Sequence, residues 1–153
     1  MSPESKLTEL GITLPKAPTP GGNYLTHRQA GKVLYLAGTI SCNADSGQEW
    51  LGQVGDERSL EDGYEAAKVC ALNVLATIKE ITGSLGTVKQ FLYLGGYVSA
   101  IPAYGQSPSV INGASDLFEA VFGESGKHAR AAVSVAGLPK NATVEIQITL
   151  ELK

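Results

Sequence analysis

The sequence is poor in the side chains that most often hold metal ions or cross-link small domains. Its 153 residues include two cysteines and two histidines, and the cysteines, Cys42 and Cys70, lie in different predicted elements. There is no CxxC motif and no cluster of Cys and His, so we expect no metal site. Nothing indicates a secreted disulfide scaffold, although the sequence leaves a bond between the two cysteines open.

Positive charge is also scarce. The chain has 12 Lys and Arg against 15 Asp and Glu, a net charge of -3, and no basic run joins its arginines, Arg28, Arg58 and Arg130. We therefore expect no general affinity for nucleic acid or for an anionic membrane surface. No stretch approaches the length of a membrane-spanning helix, and the N-terminus "MSPESKLTELGITLPKAP" lacks the apolar centre of a signal peptide. A cytoplasmic protein is expected.

The apolar content is sufficient for one packed domain. Hydrophobic residues make up 43% of the chain and charged residues 18%, a balance typical of globular proteins. No repeat or interdomain linker interrupts the sequence, so we predict a single domain over residues 1–153. Within it, residues 1–20 are predicted to be an irregular N-terminal segment, because prolines and glycines crowd the stretch "LPKAPTPGGNYLTH".

The clearest predicted element is an amphipathic helix in "SLEDGYEAAKVCALNVLATIKEITG". Ser59 is its candidate N-cap with Asp62 three residues further on, and Gly83 is suited to end it. Apolar residues recur through this stretch at steps of three and four, as expected for one buried helix face. They are Tyr64, Ala67, Ala71, Val74, Ile78 and Ile81.

A second helix is predicted in "SPSVINGASDLFEAVFG". Ser107 is its candidate cap, Pro108 fits the first helical position, and Gly123 can end it. The pair Asn112 and Gly113 often marks a hairpin turn. Here the pair lies inside the helical period, so we assign it to the helix.

Strands are predicted before, between and after the helices. "KVLYLAG" and "VKQFLYLGGYVSA" (residues 32–38 and 88–100) are rich in apolar and aromatic residues. Residues 44–58 are turn-rich and predict a hairpin connection or surface loop. "ARAAVSV" and "VEIQITLEL" alternate like strands with one buried face, and we predict that they form a hairpin about "GLPKNA".

The alternation predicts which side chains of the closing strands face the helices. The first of these strands is expected to direct Ala131, Val133 and Val135 towards the helices and Arg130, Ala132 and Ser134 to the opposite, polar face. Together the elements predict an α+β fold, a mixed β-sheet with two α-helices packed on one face. Oligomerisation would cover the bare sheet face and would form clefts between subunits that suit a small ligand.

Arg130 raises the question of what its charge is for. In the predicted hairpin it lies opposite Thr149 or Leu150, and Glu145 is several residues further along at about 3.3 Å per residue. A direct ion pair between Arg130 and Glu145 is therefore disfavoured. The alternative is that Arg130 presents its planar guanidinium to the carboxylate of a ligand, a bidentate contact that Lys cannot make.

Several stretches resemble the Rid family, also called the YjgF family of enamine/imine deaminases. "HARAAVSVAGLPKNATVEI" is similar to the family's C-terminal signature, with Ala129-Arg130, Leu138-Pro139 and Val144-Glu145-Ile146 as its matching elements. Upstream, "GGNYLTHRQAGKVLYLAGTIS" resembles the family's tyrosine loop and the strand after it, and "VINGASDLFEAVFG" its second helix. The resemblance extends over about residues 21–152, with the elements in the same order.

The resemblance implies a YjgF/chorismate-mutase-like homotrimer with a site in each intersubunit cleft, no metal and no organic cofactor. Its partner would be a small carboxylate-bearing metabolite. The resemblance also implies roles for six residues. Arg130 binds the substrate carboxylate, and Glu145 positions or polarises the attacking water. Tyr24 lies at the mouth of the site, Asn112 lies near the site on the helix, and the backbone at Gly38 and Ala132 lines the reacting centre.

The implied activity is hydrolysis of reactive 2-imino or 2-enamino acids to 2-keto acids and ammonia. Two positions depart from the family pattern: His128 stands where a proline is usual, and Ala132 replaces a common cysteine. The loss of this cysteine, together with the unusual loop over residues 41–55, favours as the alternative a non-catalytic trimer that binds or senses a small keto acid or related carboxylate. Ribonuclease activity, also attached to the family, is disfavoured by the acidic balance and the lack of a basic groove.

Overall fold

A computed structural model describes residues 1–43 and 46–153, so Ala44 and Asp45 of the predicted surface loop lie outside the described part. The described chain forms three α-helices: α1 (Pro3–Glu9), α2 (Leu60–Thr82) and α3 (Ser107–Phe122). Its strands are β1 (His27–Ala30), β2 (Val33–Leu36), β3 (Thr39–Ile40), β4 (Cys42–Asn43), β5 (Gln48–Glu49), β6 (Val88–Ser99), β7 (Ala129–Val135) and β8 (Val144–Leu152).

The main sheet has the strand order β1–β2–β8–β6–β7, and β3 also pairs with β8. β6 and β7 run parallel, whereas the other pairs are antiparallel. α2 packs against α3 and β8, and α3 packs against β6 and β7, so both helices cover one face of the sheet. The predicted α+β fold with a mixed sheet is confirmed. Among the described residues, no helix is long and apolar enough to cross a membrane.

The caps of α2 confirm its predicted limits. The Ser59 hydroxyl accepts a hydrogen bond from the Asp62 N–H, and the Asp62 carboxylate accepts one from the Ser59 N–H, both at 3.0 Å. At the other end Gly83 adopts a left-handed φ of 80°, and its N–H donates to the Lys79 carbonyl oxygen. Several side chains of α2 are completely buried, among them Ala67, Cys70, Leu75 and Ile78.

α3 covers the predicted segment, but Ser107 is its first residue instead of its cap. Gln106 occupies the cap position without a capping side-chain hydrogen bond, and the Ser107 hydroxyl contacts that of Ser134 on β7. Gly113 is helical, as predicted. A Cβ at Gly113 would collide with the carbonyl oxygen of Tyr64 in α2, so the close approach of the two helices requires a glycine there.

The core lies between the helices and the sheet. β8 has the predicted alternation, with its Val, Ile and Leu side chains facing the helices and completely buried at Val144, Ile146, Ile148 and Leu150. Phe91 of β6 stacks on Phe118 of α3 with ring centroids 4.5 Å apart. Burial of each such large side chain contributes about 1.5–3 kcal/mol to stability.

The predicted hairpin of the two closing strands is wrong. β6 lies between β7 and β8, parallel to the first and antiparallel to the second. Arg130 therefore pairs with Leu94 of β6 and does not lie opposite Thr149 or Leu150. The physical reason is that β6, at 12 residues, is the longest strand, and a β7–β8 hairpin would leave one of its edges without backbone partners.

The predicted orientation of β7 is also wrong. Arg130 and Ser134 hydrogen-bond to groups on and just before α3, so their face of β7, which includes Ala132, is turned towards the helices. Val133 on the opposite face is 47% exposed. Both faces of β7 consist largely of small residues, so its hydrophobic alternation is too weak to fix the orientation, and on the observed face both Arg130 and Ser134 find hydrogen-bond partners.

The prediction that residues 1–20 are irregular is wrong for Pro3–Glu9, because these residues form α1. The Ser2 hydroxyl caps α1 by accepting from the Ser5 N–H, and Pro3 occupies its first turn. Leu7 is buried, and the Glu4 carboxylate accepts from the hydroxyl of Ser84 at 2.8 Å. These contacts tie the N-terminus to the turn after α2.

Residues 44–58 are predicted to be a hairpin connection or a surface loop; β4 and β5 pair antiparallel, as in a hairpin, and the segment after them is packed into the fold. Val54 is completely buried, and its N–H donates to the Ser99 carbonyl oxygen at 2.9 Å. The Trp50 carbonyl oxygen accepts from the Thr143 N–H at 3.0 Å. Residues 50–54 therefore extend the hydrogen bonding at the end of the sheet.

Candidate functional site

A cavity of about 310 Å³ opens where β3 joins β8. Its walls come from three connecting segments: residues 18–21, the β2–β3 link at residues 37–38, and the turn at residues 139–140. Three of the predicted site residues, Tyr24, Gly38 and Glu145, line it. Segments far apart in the sequence thus meet at one concave surface, as in most small-molecule sites.

Glu145 is the acidic group of this cavity. It is half-buried, and burial raises the pKa of its carboxyl above the ordinary value. Among the described residues no donor is hydrogen-bonded to this carboxylate. A Cβ at Gly38 would lie 3.2 Å from the carboxyl carbon of Glu145, so the absence of a side chain there leaves room beside the acid. A carboxylate in this setting is suited to accept a proton from water.

Tyr24 lies at the entrance of the cavity and is 50% exposed. Its hydroxyl accepts a hydrogen bond from the Gly21 N–H at 3.0 Å, and a Cβ at Gly22 would lie 3.4 Å from its ring. The ring therefore rests across this pair of glycines.

The inner wall includes polar residues that the sequence reasoning missed. Asn43 lines the cavity, and its side-chain N–H groups donate to the Lys16 carbonyl oxygen at 2.9 Å and to the Asn73 side-chain oxygen at 2.8 Å. Asn73 is completely buried. An asparagine inside the apolar stretch "CALNVLATI" was the available signal, because a buried amide requires partners. This link ties the N-terminal wall of the cavity to α2.

Cys42 and Lys140 also line the cavity. Burial, assisted by the charge of Glu49, raises the pKa of the Cys42 thiol, and burial raises that of Cys70 well above its ordinary value. Both cysteines are free, so the disulfide left open by the sequence is absent from the described structure. Lys140 has a φ of 57°, a conformation uncommon for a residue with a side chain.

Arg130 lies outside this cavity, where β7 meets α3. One terminal nitrogen, Nη1, donates to the Asn112 side-chain oxygen at 2.8 Å and to the Ser115 hydroxyl at 3.0 Å, and Nη2 donates to the Pro108 carbonyl oxygen at 3.3 Å. All three acceptors are neutral. Among the described residues no carboxylate pairs with Arg130, so the arginine is oriented by the protein while its charge stays uncompensated.

The predicted site residues therefore form two separate groups. Tyr24, Gly38 and Glu145 meet in the cavity, whereas Arg130, Asn112 and Ala132 meet at the β7–α3 edge. Val144 and Ile146 face the helices, so Glu145 between them points to the open face, opposite to Arg130. Two strand spacings and three residue steps separate Arg130 from Glu145, roughly 14 Å. One chain alone does not unite the two groups.

No group of three or more His, Cys, Asp or Glu side chains is placed to hold a metal ion within residues 1–43 and 46–153. One group supplies a fixed cation, Arg130, at the β7–α3 edge. The other supplies a half-buried acid, Glu145, that lines the cavity.

The chain belongs to the family described as "YjgF/chorismate_mutase-like, putative endoribonuclease", whose sequence model matches residues 4–152. This confirms the resemblance drawn from the C-terminal signature.

Three similar proteins illustrate the breadth of this family. Protein TCP17 of Trypanosoma cruzi is 40% identical over 149 residues, which cover 97% of this chain and 92% of that protein. The crystal structure of Atu1372 from Agrobacterium tumefaciens superposes with a TM-score of 0.87 at 38% identity, over 98% of this chain and 91% of that one. A 2-iminobutanoate/2-iminopropanoate deaminase of Dermatophagoides farinae is 28% identical over 136 residues, 89% of this chain and 91% of that protein.

Proposed function

We propose that the protein is a homotrimeric deaminase that hydrolyses 2-imino and 2-enamino acids to 2-keto acids and ammonia. The observation that carries the proposal is the separation of two complementary groups on one chain. Arg130 has no anionic partner among the described residues, and Glu145, which points to the opposite sheet face and lines the cavity, has no described cation bonded to it. Subunits arranged head to tail bring the Arg130 edge of one copy to the cavity of the next.

Arg130 would bind the substrate carboxylate. A guanidinium has five N–H donors, and Asn112, Ser115 and Pro108 occupy three of them, which leaves two for a ligand. Two N–H groups are what a bidentate contact to a carboxylate uses. The carboxylate common to imino and keto acids supplies this partner.

Glu145 would act as the proton acceptor for the attacking water. Water adds its oxygen to the imine carbon while the carboxylate takes one of its protons and the nitrogen gains a proton. Glu145 then returns its proton to the nitrogen, the carbon–nitrogen bond breaks and ammonia leaves, while the hydroxyl proton passes to water and the carbon–oxygen double bond of the keto acid forms. An enamino acid first becomes the imine by moving a proton from nitrogen to carbon. Orientation and proton transfer together supply the acceleration.

The remaining predicted residues would shape the cleft. Tyr24 would close its mouth, and the backbone at Gly38 and Ala132 would lie along the substrate, with Asn112 holding Arg130 in place. The deaminase of D. farinae, which aligns with 89% of this chain, supports the reaction class. No metal or organic cofactor takes part in these steps.

The first prediction tests catalysis with imines generated in the assay by an amino acid oxidase. The wild-type protein is expected to accelerate ammonia release, and Arg130→Ala and Glu145→Gln are each expected to lose most of the acceleration. Lys79→Ala, which removes an exposed cation at the end of α2, is the control and should keep it. Co-expression of the Arg130→Ala and Glu145→Gln chains should restore about a quarter of the sites. Each cleft takes its Arg130 and its Glu145 from different chains, and with random mixing both residues are unmutated in about one cleft of four.

Failure of the mixed chains to regain activity would contradict the shared cleft. Full activity of Arg130→Ala would contradict the role of the arginine. If the wild-type protein binds pyruvate through Arg130 but accelerates no imine hydrolysis, the chain is the carboxylate-binding trimer and not an enzyme.

A further inference from the structure

His128 lies two residues before Arg130 at a half-buried position on the helix side of the sheet edge. Its ring meets that of Phe118 edge to face, with centroids 6.1 Å apart and an interplanar angle of 84°. Nδ1 lies 2.8 Å from the Gly126 carbonyl oxygen, and Nε2 lies 3.0 Å from the Ser115 hydroxyl oxygen. Both ring nitrogens thus have a partner, and packing against Phe118 fixes the plane of the ring.

These partners select one tautomer of His128. A carbonyl oxygen only accepts, so Nδ1 carries the proton and donates it to Gly126. In the neutral ring Nε2 is then an acceptor, and the Ser115 hydroxyl donates to it. Burial, and to a smaller extent the charge of Arg130, lowers the pKa of His128, which favours the neutral ring.

The direction of the bonds then continues to Arg130. Because the Ser115 hydroxyl gives its hydrogen to His128, its oxygen lone pairs face away and accept from Nη1 of Arg130 at 3.0 Å. The chain of donors runs from Arg130 to Ser115, then to His128 and finally to the Gly126 carbonyl oxygen. Without the acceptor at Nε2, the Ser115 hydroxyl has no fixed direction and becomes a weaker partner for the guanidinium.

We infer that His128, acting through Ser115, is a positioning residue that holds the guanidinium of Arg130 in the orientation in which it receives the ligand carboxylate. The inference deepens the proposed function and rests on the proposed role of Arg130. It also gives a purpose to the histidine that stands where the family signature usually has proline: the imidazole orients the arginine through a side chain of α3.

The test compares variants in their affinity for pyruvate, measured by isothermal titration calorimetry on the full chain. His128→Ala and Ser115→Ala are expected to weaken binding about three- to tenfold, since each removes one hydrogen bond from the chain that orients a charged group. His128→Gln, which again offers Ser115 an acceptor, is expected to recover much of the affinity. Ser109→Ala, at an exposed serine of the same helix, is the control and should bind like the wild-type protein.

A second readout needs no ligand. The chain has three arginines, and Arg130→Lys assigns the guanidinium resonances of Arg130 by NMR. Rotation about the bonds to its terminal nitrogens is expected to be slow in the wild-type protein and in His128→Gln, and faster in His128→Ala. A residue that serves only to fill space would change the melting temperature without this pattern of loss and recovery.

The outcomes separate the two proposals. If Arg130→Ala binds pyruvate as well as the wild-type protein does, the proposed role of Arg130 fails, and the NMR comparison still decides whether His128 orients it. If binding requires Arg130 while His128→Ala and Ser115→Ala bind like Ser109→Ala, the positioning role is overturned and the proposed function stands. Unchanged guanidinium rotation in His128→Ala overturns the positioning role in either case.

Discussion

Among single side chains, Arg130 is oriented by hydrogen bonds to neutral groups only. Its three acceptors are an amide oxygen, a hydroxyl and a carbonyl oxygen, and none of them is an ion that would be left buried and unpaired by its removal. This separates it from a structural ion pair, where loss of one partner leaves an uncompensated charge at a cost of about 3–5 kcal/mol.

Arg130→Ala is therefore expected to change the free energy of unfolding by about 1 kcal/mol or less, because water at the half-exposed edge can replace the lost donors. The same change should remove at least one charge-assisted hydrogen bond to a bound carboxylate, worth roughly 1.5–3 kcal/mol, or about tenfold or more in the dissociation constant for pyruvate. Arg130→Lys should recover only part of the affinity. Chemical denaturation and calorimetry provide the two measurements. A large loss of stability with unchanged pyruvate binding would make Arg130 a residue of the scaffold.

Among the helices and strands, the contact between α2 and α3 depends on a missing side chain. Gly113 faces the backbone of α2 at Tyr64 so closely that a Cβ would collide with the carbonyl oxygen. The same helix carries Asn112 and Ser115, which orient Arg130. Packing of α3 on α2 therefore sets the position of the groups that hold the candidate ligand-binding arginine.

Gly113→Ala is expected to destabilise the protein by about 1–3 kcal/mol. The helix propensity of alanine would favour the change by about 1 kcal/mol, but the collision forces the two helices apart. Gly105→Ala is the matched control, because a Cβ there meets nothing within 4 Å, and it should stay within about 0.5 kcal/mol of the wild-type protein. Denaturant titration measures both. Equal stability of the two variants would mean that the helices adjust to the methyl group without cost.

For the assembled chain, the sheet face away from the helices is the surface that a partner subunit would cover. Tyr35 and Tyr93 lie in one row across this face, each opposite Thr149 of β8, and Val133 lies further along. Their exposed fractions are 50%, 39% and 47%. Exposed aromatic and aliphatic side chains on one face are typical of an interface between subunits.

Light scattering of the wild-type protein at micromolar concentration is expected to give three times the 16.0 kDa mass of one chain. Val133→Asp should shift the mass towards that of one chain, because a carboxylate in the covered face would be desolvated without a partner. Leu10→Asp, a change at a comparably exposed leucine beside α1, should leave the mass unchanged. A monomeric wild-type protein would contradict both the trimer and the shared cleft.

Local sequence signals were sufficient for much of the fold. The capping box at Ser59 and Asp62, the left-handed Gly83 and the alternation of β8 all follow from interactions between residues near in the chain, and the structure confirms them. The signature around Arg130 and Glu145 was sufficient to recognise the family. The seven-residue α1 was missed even though Ser2 and Pro3 form a local start signal, because the prolines after it indicated irregular structure for the whole segment.

The errors concern contacts between distant parts of the chain. Alternation shows that a strand has two faces, but it does not show which face meets the helices when both carry small residues, as in β7. Nor does it show that β6 inserts between β7 and β8, since strand order is set by long-range backbone pairing. The amino-acid sequence was therefore enough to name Arg130 and Glu145 as candidate site residues. Only the tertiary structure places them on opposite faces of the sheet. The packing of α3 against the sheet also brings Asn112 to the arginine and forms the hydrogen-bond chain from Arg130 through Ser115 to His128.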